Sequence, residues 1–155
     1  MITAEPDMSW LPHAFDLGTI FMTTTTIVCC APDDVPGFHA AAIALAHKNR
    51  LVIVDVDVGE DPREAVYKKI GRDRTVADAV KNHLEKTKRD LFIIIRDADR
   101  FAVGEDNLTA LWALKSARDQ FHPRVRILFF GSDRAALQSL VSSKSAPFLG
   151  TKVLP

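Results

Sequence analysis

Four apolar runs constrain the fold of this chain more than any other feature of its sequence. They are rich in β-branched and aromatic residues, and three of them are close to continuously apolar. Continuous apolarity is typical of strands that are covered on both faces, as in a parallel sheet. The runs are TTTIVCCA at 24–31, LVIVDVDV at 51–58, DLFIIIRD at 90–97 and RVRILFFGS at 124–132.

Helical patterns separate these runs, because apolar residues recur between them at the spacing of one helix face. Strands that alternate with helices predict an α/β fold, here a three-layer sandwich around a mostly parallel five-stranded sheet. The predicted helices cover about 35–48, 76–87, 106–120 and 133–142, and a short fifth strand is expected in TKVLP at 151–155.

Local signals refine this outline. The helix at 76–87 opens with a capping box, in which Thr75 caps and Asp78 reaches back. The helix at 106–120 carries Trp112 together with three leucines. The segment 57–74 is the longest polar insertion, and we expect a loop there that forms a working surface.

Composition limits the partners of the chain. Its 155 residues are predicted to form one domain, 1–155, with residues 1–20 as an N-terminal extension. Twenty basic and twenty acidic side chains cancel, so net charge favours neither nucleic acid nor a membrane as partner, although a local basic face remains open. No stretch approaches the ~20 apolar residues of a membrane span.

The cysteine content favours a cytoplasmic location. Cys29 and Cys30 are the two cysteines of the chain, and they are adjacent in an apolar run. Side chains of neighbouring strand residues point to opposite faces, so we expect two small buried hydrophobes and no disulfide. The acidic, proline-containing N-terminus also lacks the basic start and apolar run of a signal peptide.

Three segments together resemble the core subdomain of AAA+-type P-loop ATPases. IVCCAPDDVPGFHA at 27–40 stands where the Walker A loop would be, LFIIIRDADRF at 91–101 resembles a Walker B segment, and RILFFGSD at 126–133 is similar to a sensor-1 strand. SSKSAPFLGTKVLP at 142–155 is similar to the segment before the last core strand. The resemblance spans roughly 20–155 and implies a P-loop NTPase-like fold.

The Walker A counterpart departs from a working phosphate loop. Such a loop needs glycines whose N–H groups converge on the phosphates, a lysine, and a Ser or Thr hydroxyl for magnesium. By the resemblance, Pro32 stands at the first glycine, Phe38 at the lysine and His39 at the hydroxyl. Pro36, which has no N–H, precedes the remaining Gly37.

Acidic residues reinforce this departure. Asp33 and Asp34 would repel a triphosphate, and we expect one of them to cap the following helix. In the Walker B counterpart, Arg96 replaces the magnesium-ordering aspartate and Asp97 the catalytic glutamate. Arg96 either contacts a phosphate or pairs with a nearby acid (Asp97, Asp55 or Asp57).

Two further family features are missing by this comparison. Thr151 stands where many relatives carry an arginine finger, and no helical lid is expected after the last strand. The resemblance therefore implies a degenerate nucleotide site whose ability to bind ATP is doubtful. Its residues would be Pro32, Gly37, Phe38, His39, Arg96, Asp97 and Ser132.

Other readings of the polar residues stay open. Asp55 and Asp57 fit the ribose-binding acid of a dinucleotide fold, but the required glycine-rich turn is missing. Together with Glu60 and Asp61 they form either a metal or nuclease-like site or a solvated acidic loop. Ser132 is either a nucleophile at a strand–helix turn or, with Asp133, a helix cap, and the capping role explains the sequence better.

Basic clusters at 67–74 and 85–90 would contact nucleic acid or form solvated helix faces. Acidic residues interspersed in both clusters favour the solvated faces.

The prediction for the whole chain is a non-catalytic AAA+-like domain, without metal or cofactor, that acts as a regulator, inhibitor or adaptor. Its expected partner is another protein, either an ATPase subunit or a second copy, and no membrane. The alternatives are a weak ATPase using Asp97 and Arg96, or a nucleic-acid-binding module. The candidate interaction residues are Arg96, Asp97, Arg100, Lys68, Lys69 and Arg72.

Overall fold

A computed structural model describes residues 24–142, 147–148, 151 and 153–154 of the chain. The predicted N-terminal extension at 1–20 lies outside these residues, as does most of the segment 143–152 before the last strand.

The core is a single parallel sheet of five strands in the order β2-β3-β4-β1-β5. Every strand pair in the described residues is parallel, and β3 has neighbours on both sides. This confirms the prediction of a five-stranded parallel sheet. The strands are β1 Thr25–Cys29, β2 Val52–Val56, β3 Leu91–Ile95, β4 Val125–Gly131 and β5 Val153–Leu154.

Five α-helices and two 3-10 helices surround the sheet in the described part of the chain. None of these helices is both long and apolar enough to cross a membrane. The α-helices are α1 Val35–Lys48, α2 Pro62–Ile70, α3 Val76–Thr87, α4 Glu105–Gln120 and α5 Arg134–Ser142, and the 3-10 helices are Pro32–Asp34 and Ala98–Ala102.

The helices form layers on both faces of the sheet, which confirms the three-layer sandwich. Phe38 and Ala42 of α1 pack with Phe92 and Leu128 on one face. The apolar residues of α2, α3, α4 and α5 form a second, larger cluster with alternate strand residues on the other face. All five residues of β3 are therefore buried, which explains its uninterrupted apolar sequence.

The prediction of a loop throughout 57–74 was wrong, since helix α2 lies within it. Asp61 caps this helix, because its carboxylate accepts the N–H of Arg63 at 2.9 Å, and Pro62 occupies the first turn. The buried residues of this helix are Pro62, Ala65 and Val66, too few to produce a clear periodicity in the sequence.

Other local predictions had different outcomes. The Thr75 hydroxyl accepts the N–H of Asp78 at 3.1 Å, which confirms Thr75 as the cap of α3. Cys30 is buried and Cys29 half-buried, and they pack in different clusters on opposite faces. Trp112 does not join the apolar side of α4: its side chain is 44% exposed, and the Lys115 ammonium lies 5.6 Å from its ring.

The strand order creates one natural crevice. β1 and β4 are neighbours, but the helices that follow them, α1 and α5, lie on opposite faces of the sheet. In open α/β sheets, ligands bind outside the carboxyl ends of strands at such a switch in direction. The turns after β1 and β4 are therefore where a site is expected.

Candidate functional site

The turn between β1 and α1 is closed by its own hydrogen bonds. It forms a 3-10 turn in which the N–H of Asp34 donates to the Ala31 carbonyl at 2.9 Å and the N–H of Val35 donates to the Pro32 carbonyl. Pro32 and Pro36 contribute no N–H. Two of the turn's donors are thus used internally and two are missing, so it lacks the converging amides of a phosphate loop.

Phe38, at the position of the phosphate-binding lysine, belongs to the core. Its side chain is 1% exposed, and its ring meets that of Phe130 edge-on, with centroids 5.2 Å apart. Gly37, the residue before it, is exposed. The Phe38 side chain therefore packs between α1 and the sheet rather than facing the crevice.

The expected aspartate cap of α1 was wrong. Asp33 and Asp34 are exposed, and neither side chain accepts a hydrogen bond from the first turn of the helix. Asp34 has helical angles, φ −89° and ψ −14°, because the 3-10 turn runs directly into α1. A capping side chain needs the extended conformation that Asp61 and Thr75 adopt.

His39, Asp55 and Arg96 form a cluster of polar side chains next to this turn, on the α1 face of the sheet. The His39 Nε2 atom lies 2.8 Å from Asp55 Oδ1. The Arg96 Nη2 atom lies 3.8 Å from the same oxygen and 3.4 Å from Asp57 Oδ1. Of the alternatives for Arg96, pairing with Asp55 and Asp57 is the one seen. Its buried Nε has no partner in the described residues.

Asp97, at the position of the catalytic glutamate, adopts an uncommon backbone conformation. Its φ of +53° is in the left-handed region, which non-glycine residues rarely occupy. The Asp97 side chain is exposed at the end of β3. The backbone carbonyl of Asp97 accepts the N–H of Arg100 at 3.3 Å. Strained residues of this kind are concentrated at functional sites.

The turn between β4 and α5 is occupied by Asp99, a residue that sequence reasoning missed. One Asp99 carboxylate oxygen accepts the N–H groups of Ser132 at 3.1 Å and Asp133 at 3.2 Å. Gly131 makes this approach possible, because a Cβ there would lie 2.1 Å from the other oxygen, Asp99 Oδ1. The Asp133 carboxylate caps α5 by accepting the N–H of Ala136 at 3.2 Å, in agreement with the capping role.

Most of the predicted interaction residues make contacts within the chain. Arg100 donates from Nη2 to the Glu60 carbonyl at 2.8 Å and so joins the segments that follow β2 and β3. Lys68 lies 2.7 Å from the Glu60 carboxylate and, through that hydrogen bond, lowers the pKa of Glu60. Arg72 lies 2.5 Å from Glu64, whereas Lys69 is exposed.

The acidic loop after β2 does not assemble a metal site. The described residues contain no group of three His, Cys, Asp or Glu side chains arranged to hold a metal ion. Asp61 is engaged by Arg63 at 2.7 Å, and this hydrogen bond lowers the pKa of Asp61. These contacts favour the reading of an ion-paired surface loop.

Two large apolar side chains are exposed at the carboxyl end of the sheet. Val58 follows β2 and is 63% exposed, and Val103 follows the 3-10 helix after β3 and is 74% exposed. The hydrogen bond from Arg100 to Glu60 holds their two segments together. Both valines therefore lie on segments that follow neighbouring strands of the sheet.

Comparison with known proteins identifies the fold. No family model matches the sequence, and no curated protein matches it. The structure is similar to that of the ORC2 protein from Aeropyrum pernix, solved as ADPNP-ADP complexes, with a TM-score of 0.60, 12% identity, and coverage of 96% of this chain and 50% of that one. It is also similar to Cdc6p from Pyrobaculum aerophilum, with a TM-score of 0.60, 13% identity and coverage of 96% and 47%.

The chain spans about half the length of these two proteins. At this identity the similarity establishes the fold alone: a parallel α/β sheet with the arrangement of the AAA+ ATPase core. No helical lid is present among residues 24–142 or in the short pieces described after them.

Proposed function

We propose that this domain keeps an AAA+-like scaffold, does not hydrolyse ATP, and regulates, inhibits or adapts another protein by binding to it. The observation that carries the proposal is the closed turn before α1. The N–H groups of Asp34 and Val35 are used inside the turn, Pro32 and Pro36 have none, and the position of the phosphate-binding lysine is a buried phenylalanine.

Electrostatics around the crevice also disfavour a triphosphate. Asp33 and Asp34 are exposed before α1, where an ATPase would present a positive helix end to the phosphates. The Asp99 carboxylate already accepts hydrogen bonds from the two backbone amides before α5. Arg96, the cation that follows β3, is shared between Asp55 and Asp57. Its charge is therefore already engaged and does not replace that of the missing lysine.

The contact surface on this proposal is the carboxyl end of the sheet, with Val58 and Val103 at its centre. Exposed Asp97 and the Arg100 tether lie on the segment between β3 and Val103. Apolar side chains surrounded by charged ones are typical of interface cores and rims. The proposed partner is an ATPase subunit of the same fold class, because the resemblance to AAA+ ATPases implies subunits that contact one another through the Walker B and sensor-1 sides of the core.

Calorimetry with ATP and magnesium tests the first half of the proposal. The wild-type domain is expected to give no binding heat. Phe38→Lys, measured under conditions where circular dichroism shows it to be folded, is expected not to create ATP binding or turnover, because the prolines and the 3-10 turn remain. Micromolar affinity for ATP in the wild-type domain would contradict the proposal.

Substitution at the exposed valines tests the second half. The tagged domain is used to capture binding proteins from its host, and candidates with an AAA+ sequence are then purified and tested directly. V58D/V103D is expected to weaken binding at least tenfold, whereas Q120D, at an exposed position at the opposite end of α4, leaves it unchanged. Equal binding by both variants would place the contact elsewhere.

The conformation of Asp97 favours a second candidate, slow residual hydrolysis. A strained, exposed carboxylate at the end of β3 stands where the resemblance places a catalytic acid. This alternative predicts turnover that Asp97→Asn removes and Asp33→Asn leaves unchanged.

A further inference from the structure

His83, near the end of α3, is a buried imidazole with cations around it. The residue is 7% exposed, and among the described residues Thr26 is the other polar residue buried to this degree. Burial lowers the pKa of His83, and the nearby Arg124 and Arg89 guanidinium groups lower it further, against the opposing effect of a hydrogen bond with the Arg89 backbone. The imidazole is therefore neutral in the folded chain at neutral pH.

A chain of polar contacts leads from this imidazole to the start of β2. The His83 Nε2 atom lies 3.4 Å from the Thr87 hydroxyl, and that hydroxyl accepts the N–H of Arg89 at 3.2 Å. The Arg89 guanidinium then donates to the Arg50 carbonyl at 2.9 Å and to the Leu51 carbonyl at 3.4 Å. These two guanidinium bonds, the Arg89 latch, join the link between α3 and β3 to the segment before β2.

We propose that protonation of His83 opens the Arg89 latch. The neutral imidazole lets Arg89 hold the segment before β2, whereas the imidazolium drives the guanidinium off its two carbonyls. The chain thus contains a pH-operated switch at the amino end of the sheet, away from the crevice and from the exposed valines at the carboxyl end.

Of the two cations near the imidazole, Arg89 is the one that can move. Arg124 donates from Nε to the Asp90 carboxylate at 2.9 Å, a bond between opposite charges. The Arg89 side chain is exposed, and its guanidinium donates to neutral carbonyls. Hydrogen bonds between ionised groups are roughly twice as strong as neutral ones. Repulsion from a charged His83 therefore displaces Arg89 into water and leaves Arg124 in place.

The elements packed around α3 offer the new charge no ready partner. Helices α2 and α4 contact α3, and α3 and α4 both end at the amino edge of the sheet, because each leads into a parallel strand. Lys81, Glu85 and Lys86 of α3 itself are exposed, whereas His83 is buried. The acids of the surrounding elements are engaged: Asp119 of α4 by Lys115 and Arg118, Glu64 of α2 by Arg72, and Asp90 before β3 by Arg124 and Arg126.

The link that carries Arg89 is itself under strain. Lys88, between Thr87 and Arg89, has a φ of +59°, in the left-handed region where glycine is the usual residue after a helix. The Lys88 N–H donates to the Leu84 carbonyl at 3.3 Å, a long hydrogen bond. Opening of the link relieves the strain at Lys88, so the latch is a favourable place for the protonated chain to yield.

The sign of the pH effect follows from the lowered pKa of His83. The closed latch binds fewer protons than the open one, whose imidazole has the ordinary pKa of 6.5. The closed latch is therefore fully favoured above pH 6.5 and is weakened as the pH falls below it. The ratio of closed to open latch is expected to be about tenfold smaller at pH 5.5 than at pH 7.5. Glu60, Asp61 and Asp119 have lowered pKa values and titrate below this window.

Amide hydrogen exchange of the full chain, followed by NMR at pH 7.5 and 5.5, tests the proposal. Protection factors correct for the direct effect of pH on exchange. Those of residues 50–52 and 88–90 are expected to fall about tenfold at pH 5.5, whereas those of β1 stay unchanged. Titration of the His83 imidazole signals in the same samples is expected to show a midpoint below pH 6.5.

Variants assign the effect to His83. His83→Gln keeps a polar side chain that cannot take up a proton, and it is expected to abolish the fall. His47→Gln, at an exposed histidine of α1, is the matched control and is expected to retain it. Arg89→Gln lacks the latch, so residues 50–52 are expected to be poorly protected at both pH values. Circular dichroism checks that each variant is folded.

Three results would each overturn the proposal. They are wild-type protection in residues 50–52 that does not change with pH, a fall that persists in His83→Gln, and a fall of the same size in β1, which would indicate global unfolding. If His83→Gln did not fold, the wild-type exchange and Arg89→Gln would still decide. None of these measurements involves nucleotide or a partner protein, so they are separable from the proposed function.

Discussion

The two strand-to-helix turns at the crevice, β1–α1 and β4–α5, are both closed to an anion but by different means. The first is closed locally, by prolines, a 3-10 turn and a buried aromatic ring next to it in sequence. The second is closed by Asp99, which lies 33 residues before the Ser132 amide that it binds. The first turn contains two residues without an N–H, whereas the second presents two adjacent amides that a carboxylate of the same chain accepts.

This difference shows two ways in which the N–H groups at a helix start can be dealt with inside one chain. The first N–H groups of a helix have no partner within the helix itself. At α1 the chain removes donors, and at α5 it supplies an internal acceptor. The arrangement at α1 depends on residues of the turn itself, whereas the arrangement at α5 depends on a carboxylate from another segment. Substitutions can therefore test the two turns separately.

The largest effect is expected at Phe38, which makes the first turn part of the core. Phe38→Lys removes a buried ring and places a cation among apolar side chains, at an expected cost of at least about 4 kcal/mol in the free energy of unfolding. Urea denaturation measures it. Phe38→Leu, the control that keeps an apolar side chain in the core, is expected to cost about 1 kcal/mol. An unchanged stability of Phe38→Lys would show that the side chain at this position can leave the core. The first turn would then not depend on a buried aromatic ring, and its contrast with the second turn would weaken.

A smaller effect is expected at the second turn, with a distinctive coupling. Gly131→Ala pushes Asp99 from the Ser132 and Asp133 amides and is expected to cost about 1–2 kcal/mol, as is Asp99→Ala, because each loses the same cap. The double variant is expected to cost about as much as one single, since the clash disappears with the carboxylate. Additive losses in urea denaturation would show that Gly131 is required for another reason.

The smallest effect is expected from the exposed acids of the first turn. D33N/D34N changes no hydrogen bond of the 3-10 turn, so its free energy of unfolding is expected to fall by about 0.5 kcal/mol or less, through the lost interaction with the helix dipole. Calorimetry is also expected to show no ATP binding by this variant. If ATP did bind, charge rather than geometry would be what closes the first turn.

The regular elements were predictable because their signals are local. Periodic apolar residues predicted helices at 35–48 and 76–87, and the structure has Val35–Lys48 and Val76–Thr87. Helix α2 could not be found in this way, because it buries a short stretch within a charged sequence. The exposure of Trp112 could not be predicted either, because periodicity identifies a helix face but not whether a neighbouring element covers it.

The site was predictable only in part. The resemblance marked Phe38 and Arg96 as departures from an ATPase, and the pairing of Arg96 with Asp55 and Asp57 follows from charge. The role of Asp99 depends on the strand order, which brings the ends of β3 and β4 side by side. No spacing in the sequence reveals this contact. The one local hint is a glycine directly before the Ser-Asp pair that starts α5.

The close approach of Asp99 to Gly131 also restricts how this sequence can diverge. A side chain at 131 is costly while the carboxylate at 99 is present, whereas after its loss the main remaining restriction is the Leu137 side chain, 3.2 Å from the position of a Cβ at 131. Descendants of this sequence should therefore pass through replacement at 99 before replacement at 131. In a phylogeny reconstructed from many genomes, position 99 should change before position 131.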